Sequence, residues 1–139
     1  MACPFCEIVV QRDPAVLVLE TETSVTFSPL EPATRGHLLV VPRSHVADFL
    51  QAAPCLAGAL FADVSRVAVA VNEVIRPDGL NVLTSVGEAA TQTVMHLHVH
   101  VLPRWHDDRV WSFWPATPDS AVELAADGWA DAVRQALSS

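Results

Sequence analysis

Three histidines at alternate positions, His96, His98 and His100, are the residues of this chain whose types and spacing most directly suggest chemistry. If residues 94–102 form a strand, successive side chains point to opposite faces. The three imidazoles then share one face, about 6.6 Å apart along it, while Leu97, Val99 and Val101 share the other. Such a row admits three readings: the polar face of a partly exposed strand, a metal site completed by carboxylates from other strands, or a nucleophilic centre. In the last, one neutral imidazole attacks while its neighbours hold its tautomer and protonate the leaving group. His98 is the central candidate for that role, being flanked on both sides by another histidine. A second constellation is Cys3 and Cys6. Their Cys-x2-Cys spacing lets two thiolates grip one tetrahedral ion, but it fits a redox pair or two core cysteines equally well.

Something must position these groups. Short β-branched or Leu-rich stretches at 16–19, 25–27, 38–41, 81–84 and 94–102, bounded by Pro, Gly or charged residues, predict five strands of a mostly antiparallel sheet. After Pro54, residues Leu56, Leu60, Val64, Val67, Val71 and Val74 recur at helical steps, so one apolar stripe runs down a helix of about six turns. Its only large partner is a face of the sheet, and Arg76-Pro77-Asp78-Gly79 ends it. Ser120 with Glu123 resembles a capping box and predicts a C-terminal helix with Val122, Ala126, Trp129 and Val133 on one face, weakened by Gly128. Residues 105–119 carry Trp105, Trp111, Phe113 and Trp114 without a period, and read as an ordered loop covering a pocket or a subunit interface.

The whole is one α+β domain over residues 1–139, with 51% hydrophobic and 17% charged residues. That composition excludes a disordered or coiled-coil chain. Eight basic against sixteen acidic residues gives a net charge of −8, which argues against binding polymeric nucleic acid. No uninterrupted apolar run approaches a membrane span, and residues 1–7 lack the features of a signal peptide, so the expectation is a cytoplasmic protein with no membrane partner. The odd cysteine count points to thiols, with Cys55 at a helix start or in the core.

Together these residues resemble the histidine triad family. His96-Leu97-His98-Val99-His100-Val101-Leu102 matches its signature, Pro103-Arg104 continues it, and Gly36-His37 through Pro42-Arg43-Ser44-His45 is similar to its upstream segment. The stretches Pro77 to Val82, Gly87 to Ala90 and Gln92-Thr93-Val94 fill the interval as in family members, and the N-terminal Cys-x-Phe-Cys resembles the start of bacterial ones. The match covers about residues 3–104. The resemblance implies a half-barrel subunit completed by homodimerisation. It also implies hydrolysis of a nucleoside phosphoramidate or mononucleotide adduct, with His98 forming a nucleotidyl-histidine intermediate. Dinucleoside polyphosphate hydrolysis, nucleotidyl or phosphoryl transfer, and nucleotide binding with weak turnover are the alternatives. By the same resemblance His100 would hold the α-phosphate oxygens and His96 would orient the nucleophile. His37 would stand near the site, Ser85 would take the place of a positioning amide, and Gln92 and Thr93 would contact the phosphate or leaving group. Cys3, Cys6, His45 and His96 would form a structural zinc site, with no organic cofactor.

The chain departs from the pattern where substrate is read. Pro29 stands where members carry a ribose-holding carboxylate or Asn, leaving Ser28 or Glu31 to supply that contact. Ser85 is shorter than the usual amide, Thr91 replaces a glycine and Arg35 a proline. These changes suggest an atypical nucleotide substrate, with Trp105, Trp111 and Trp114 walling part of the pocket or packing an interface.

Overall fold

The computed structural model describes residues 3–11, 15–110, 112–124 and 126–139, without the side chains of Val122 and Leu124. Trp111 and the Val122 side chain, both invoked above, therefore lie outside the described residues. The strands are β1 (Leu17–Glu20), β2 (Ser24–Phe27), β3 (Leu38–Pro42), β4 (Gly79–Leu83) and β5 (Val99–Arg104). They pair antiparallel throughout in the order β1-β2-β3-β5-β4, which makes β4 an open edge.

Alternation along β3 divides the interior. Leu38 and Val40 face helix α2 (Pro54–Ile75), whose stripe of Leu60, Val64, Val67 and Val71 is buried against them and against Leu97, Val99 and Val101. Burying a side chain such as Leu60 stabilises the fold by about 1.5–3 kcal/mol. Ile75, four residues beyond Val71, continues the stripe, whereas the expected Val74 is 76% exposed. Pro54 stands in the first turn, where its missing N–H leaves no bond unmade, and Arg76 closes the helix at φ 53°. By length and composition α2 could cross a bilayer, with a mean hydropathy of 1.5. Here it lies along the sheet, and its buried Asp63 accepts hydrogen bonds from Thr21 Oγ1 (2.7 Å) and Ser24 Oγ (2.6 Å).

The opposite face buries Val25, Phe27, Leu39 and Val41 with Phe5 of helix α1 (Pro4–Val9). Leu39 stands opposite His100 in register, so the histidine face is the one α1 covers. Gly36 fixes the approach of His37. At φ 86°, a Cβ there would lie 2.8 Å from Ile75 Cγ1 and 3.2 Å from the Pro103 ring, so only glycine fits without a shift.

Two expectations are corrected. The predicted strand at 94–102 begins only at Val99. Residues 94–98 leave the ladder, because the Leu97 N–H donates to Val46 O (2.7 Å) and the Pro42 carbonyl is taken by the His96 side chain (2.9 Å). The C-terminal helix is two, α3 (Ala121–Leu124) and α4 (Trp129–Leu137), broken at Gly128 with φ 81°. The Ser120–Glu123 capping box is present in both directions, at 3.2 and 3.4 Å. Cys55 is at a helix start and exposed, not in the core.

Candidate active site and metal centre

Although strand geometry fails at 94–98, the face alternation survives. His96 and His98 are 0% and 7% exposed on the α1 side, while Leu97 and Val99 enter the α2 core. Burial, with no charged partner among the described residues, sets the chemistry of the imidazoles. Desolvation pushes His98 and His96 below the ordinary histidine value, against the opposing pull of their carbonyl partners. Desolvation and then the charge of His98 lower His37. The same desolvation, with His98 and His37 beside it, takes His100 to about 4. All four are neutral near pH 7, the form in which an imidazole nitrogen can attack or ligate.

Their hydrogen bonds fix which nitrogen carries each proton. The Ala33 N–H donates to His37 Nδ1 (3.0 Å), so His37 bears its proton on Nε2 and donates it to His100 Nδ1 (2.9 Å). His100 is thereby left with Nε2–H as a donor that has no partner among the described residues. His98 donates Nδ1–H to the His96 carbonyl (2.7 Å), which leaves its Nε2 with a lone pair. His96 donates Nε2–H to the Pro42 carbonyl, so its Nδ1 is the bare nitrogen. The His98 ring is held edge-on by Phe5 (centroids 5.1 Å, 83°) and packs against His100 (5.0 Å, 66°), while Thr84 Oγ1 donates to the His98 carbonyl (2.7 Å).

The bare Nδ1 of His96 points into a cluster. It lies 3.5 Å from Cys3 Sγ, 3.5 Å from Cys6 Sγ and 3.1 Å from His45 Nδ1, with Cys6 Sγ 3.3 Å from His45 Nδ1. The four ligand atoms fall within 4.8 Å of one another. One lone pair cannot be satisfied by three such neighbours through hydrogen bonding alone. Desolvation and then the neighbouring Cys3 sulfur push the Cys6 thiol up. Converging thiolate and imidazole donors are the ligand set of a tetrahedral divalent ion.

A cleft of about 770 Å³ opens beside the histidines. His37 and His100 line it, with residues 81–85 of β4 and its following turn, Ala89 to Thr91, Leu102, Val110 and Ser112 to Trp114. Ser85 is in this lining, and His98 adjoins it through His100. Gln92 does not reach it. Its amide is consumed by the backbone, accepting from Gly87 N (2.9 Å) and donating to Ala47 O (2.8 Å) and Val94 O (3.0 Å). It thus ties the His45 loop, the cleft turn and the histidine segment together. Thr93, Ser28, Pro29, Glu31 and Trp105 are likewise absent from the lining, where Phe113 and Trp114 supply the aromatic wall. Thr91 holds φ 72°, a left-handed conformation that a β-branched residue adopts at a cost of about 1–3 kcal/mol, which explains why glycine is the alternative there. Sequence reasoning missed Phe5, Thr84 and Asn81. Phe5 alone carried a signal, as the apolar residue between the two cysteines.

Because His37 and His100 are neutral when folded and titrate near 6.5 when unfolded, the unfolded chain binds more protons between about pH 6.5 and 4. The expected melting temperature is flat from about pH 8 to 7 and falls progressively below about 6.5, with a shallower fall in His100→Asn. Identical slopes in a thermal-shift series would refute this assignment.

The HIT domain family matches residues 10–107. The adenosine 5′-monophosphoramidase hnt1 of Schizosaccharomyces pombe is 34% identical over 92% of this chain and 94% of its own. Among solved structures, a Streptococcus mutans protein superposes with a TM-score of 0.88 at 32% identity, over 97% of this chain and 85% of that one. A Zn-bound histidine triad family protein from Mycobacterium smegmatis is 38% identical with a TM-score of 0.74, over 86% and 85%.

Proposed function

This chain belongs to the HIT domain family, and we propose that within it the protein is a nucleotide hydrolase that cleaves a nucleoside phosphoramidate or similar mononucleotide adduct through His98. The observation that carries the reading is the opposed pair of tautomers: a lone pair on His98 Nε2 and, one ring away, an Nε2–H on His100. His98 Nε2 attacks the α-phosphorus, the P–N bond to the leaving amine breaks, and the amine departs with a proton drawn from cleft water. His100 donates to a phosphoryl oxygen as charge gathers there, and the His96 carbonyl supports the positive charge that develops on His98 through Nδ1–H. Water then attacks the phosphorus, the His98 Nε2–P bond breaks, the proton that this water loses neutralises the hydroxide left by the first step, and the nucleoside monophosphate is released. The phosphoramidase activity named for the Schizosaccharomyces pombe relative supports this reading.

The lining favours one phosphate over several. All eight basic residues are arginines, and none of the described ones lines the cleft, whose donors are imidazoles, hydroxyls, the Asn81 amide and backbone amides. A dinucleoside polyphosphate would bring several negative charges into a site whose described lining holds no cation to meet them. The zinc-loaded protein is therefore expected to release AMP from adenosine 5′-phosphoramidate and to leave diadenosine tetraphosphate intact over the same period. Faster cleavage of the tetraphosphate would overturn the preference.

Zinc suits the cluster. Zn–S of about 2.3 Å and Zn–N of about 2.0 Å at tetrahedral angles set N and S about 3.5 Å apart and two nitrogens about 3.3 Å apart, close to the spacings given above. Cys3, Cys6, His45 and His96 would hold such an ion with four protein ligands, so its work would be structural: it would pin α1, and with it Phe5, against His98. Homodimerisation through the open β4 edge and the exposed Val69 and Val74 of α2 completes the proposed assembly.

A further inference from the structure

Arg104, the last residue of β5, makes four hydrogen bonds to three residues of two segments, the loop that follows β5 and strand β4. Nε and one terminal nitrogen grip both carboxylate oxygens of Asp108 (2.8 and 3.1 Å), the same nitrogen donates to the Val110 carbonyl (3.1 Å), and the other donates to Asn81 Oδ1 (2.8 Å). Asp108 in turn accepts from the N–H groups of Trp105 (2.8 Å) and Val110 (3.1 Å), and its side chain is only 7% exposed. The Arg104 fork and those amides hold its carboxyl down to about 2, so the pair stays ionised at every working pH. A planar guanidinium is what this geometry requires, since a lysine ammonium cannot meet a carboxylate in parallel while also reaching Asn81 and Val110.

Asn81 and Val110 both line the cleft, one on the β4 floor and one at the start of the wall that continues to Phe113 and Trp114. We propose that Arg104 and Asp108 are positioning residues that set the cleft's outer wall, and so govern how tightly nucleotide is held while leaving the histidine chemistry in place. Beyond Val110 the described hydrogen bonds of residues 112–119 are local, such as Trp114 N to Ser112 Oγ, so the clamp is the fixed point from which the aromatic wall departs. This rests on the cleft being the nucleotide site.

The test is AMP binding by calorimetry to zinc-loaded wild type, Arg104→Met, Arg104→Lys and Asp108→Asn, with Arg134→Met of α4 as a charge-matched control, alongside amide exchange. Arg104→Met and Asp108→Asn are expected to raise the AMP dissociation constant about tenfold, Arg104→Lys less, and the control not at all. Exchange at Trp105 and Val110 should quicken in the clamp variants while β3 and β5 keep their protection. Wild-type AMP affinity in Arg104→Met overturns the proposal, as does lost protection throughout β3 and β5, which would make the clamp a general stabiliser. Failure of the wild type itself to bind AMP overturns the reading of the cleft before any variant is compared.

Discussion

Replacing His98 with alanine is expected to lower kcat/KM for adenosine 5′-phosphoramidate by about 10⁴-fold or more, because no other group supplies the attacking nitrogen. His37 and His100 are committed to each other: His37 Nδ1 and Nε2 are both bonded, and His100 presents a donor, not a lone pair. His96 has spent Nε2 on Pro42 and faces the cysteines with Nδ1. The variant leaves the buried His96 carbonyl without its donor, at a cost of about 1–3 kcal/mol, so circular dichroism and zinc content should accompany the kinetics. A folded, zinc-loaded His98→Ala protein that keeps more than a tenth of wild-type turnover would remove His98 from the mechanism.

Loss of the metal should read out as stability, not as lost chemistry. Cys3→Ser or Cys6→Ser is expected to abolish stoichiometric zinc and lower the melting temperature by about 10 °C or more, and a chelator should do the same to the wild type. The physical reason is the short α1. A six-residue helix is too short to hold itself, and the described contacts that seat it are Phe5 and its neighbours in the small core together with the cysteine–histidine cluster. Below its lowered melting temperature the metal-free protein should retain turnover within about tenfold, since no step passes through the ion. Complete loss of turnover in a folded, metal-free protein would make the ion catalytic and contradict this account.

Much of this arrangement is legible in the residues because local rules and tertiary packing agree. The steps of Leu60, Val64, Val67 and Val71 mark α2 correctly, and Pro54 and Arg76 bracket it, since helix period and burial ask for the same side chains. The histidine segment is harder. Its alternation and β-branching ask for a strand from residue 94, yet His96 must swing to the cysteines, and the chain gives up ladder pairing to let it. Periodicity records which face a residue takes and is blind to a bend that keeps the faces while breaking the ladder. Gln92 shows a related limit: the family resemblance implies phosphate contact, whereas in the fold its amide satisfies three partly buried backbone groups. The Arg104–Asp108 clamp was not legible, because an i,i+4 charge pair outside a helix has no periodic signature.

Bonding of His98 Nε2 to phosphorus is tested by rapid acid-free quenching of the zinc-loaded enzyme with adenosine 5′-phosphoramidate, followed by intact and peptide mass spectrometry. A single adenylyl adduct, mapped to His98, is expected to appear before AMP accumulates and to be missing in His98→Ala. Steady turnover with an adduct on another residue, or undiminished turnover in His98→Ala, would contradict this role for His98.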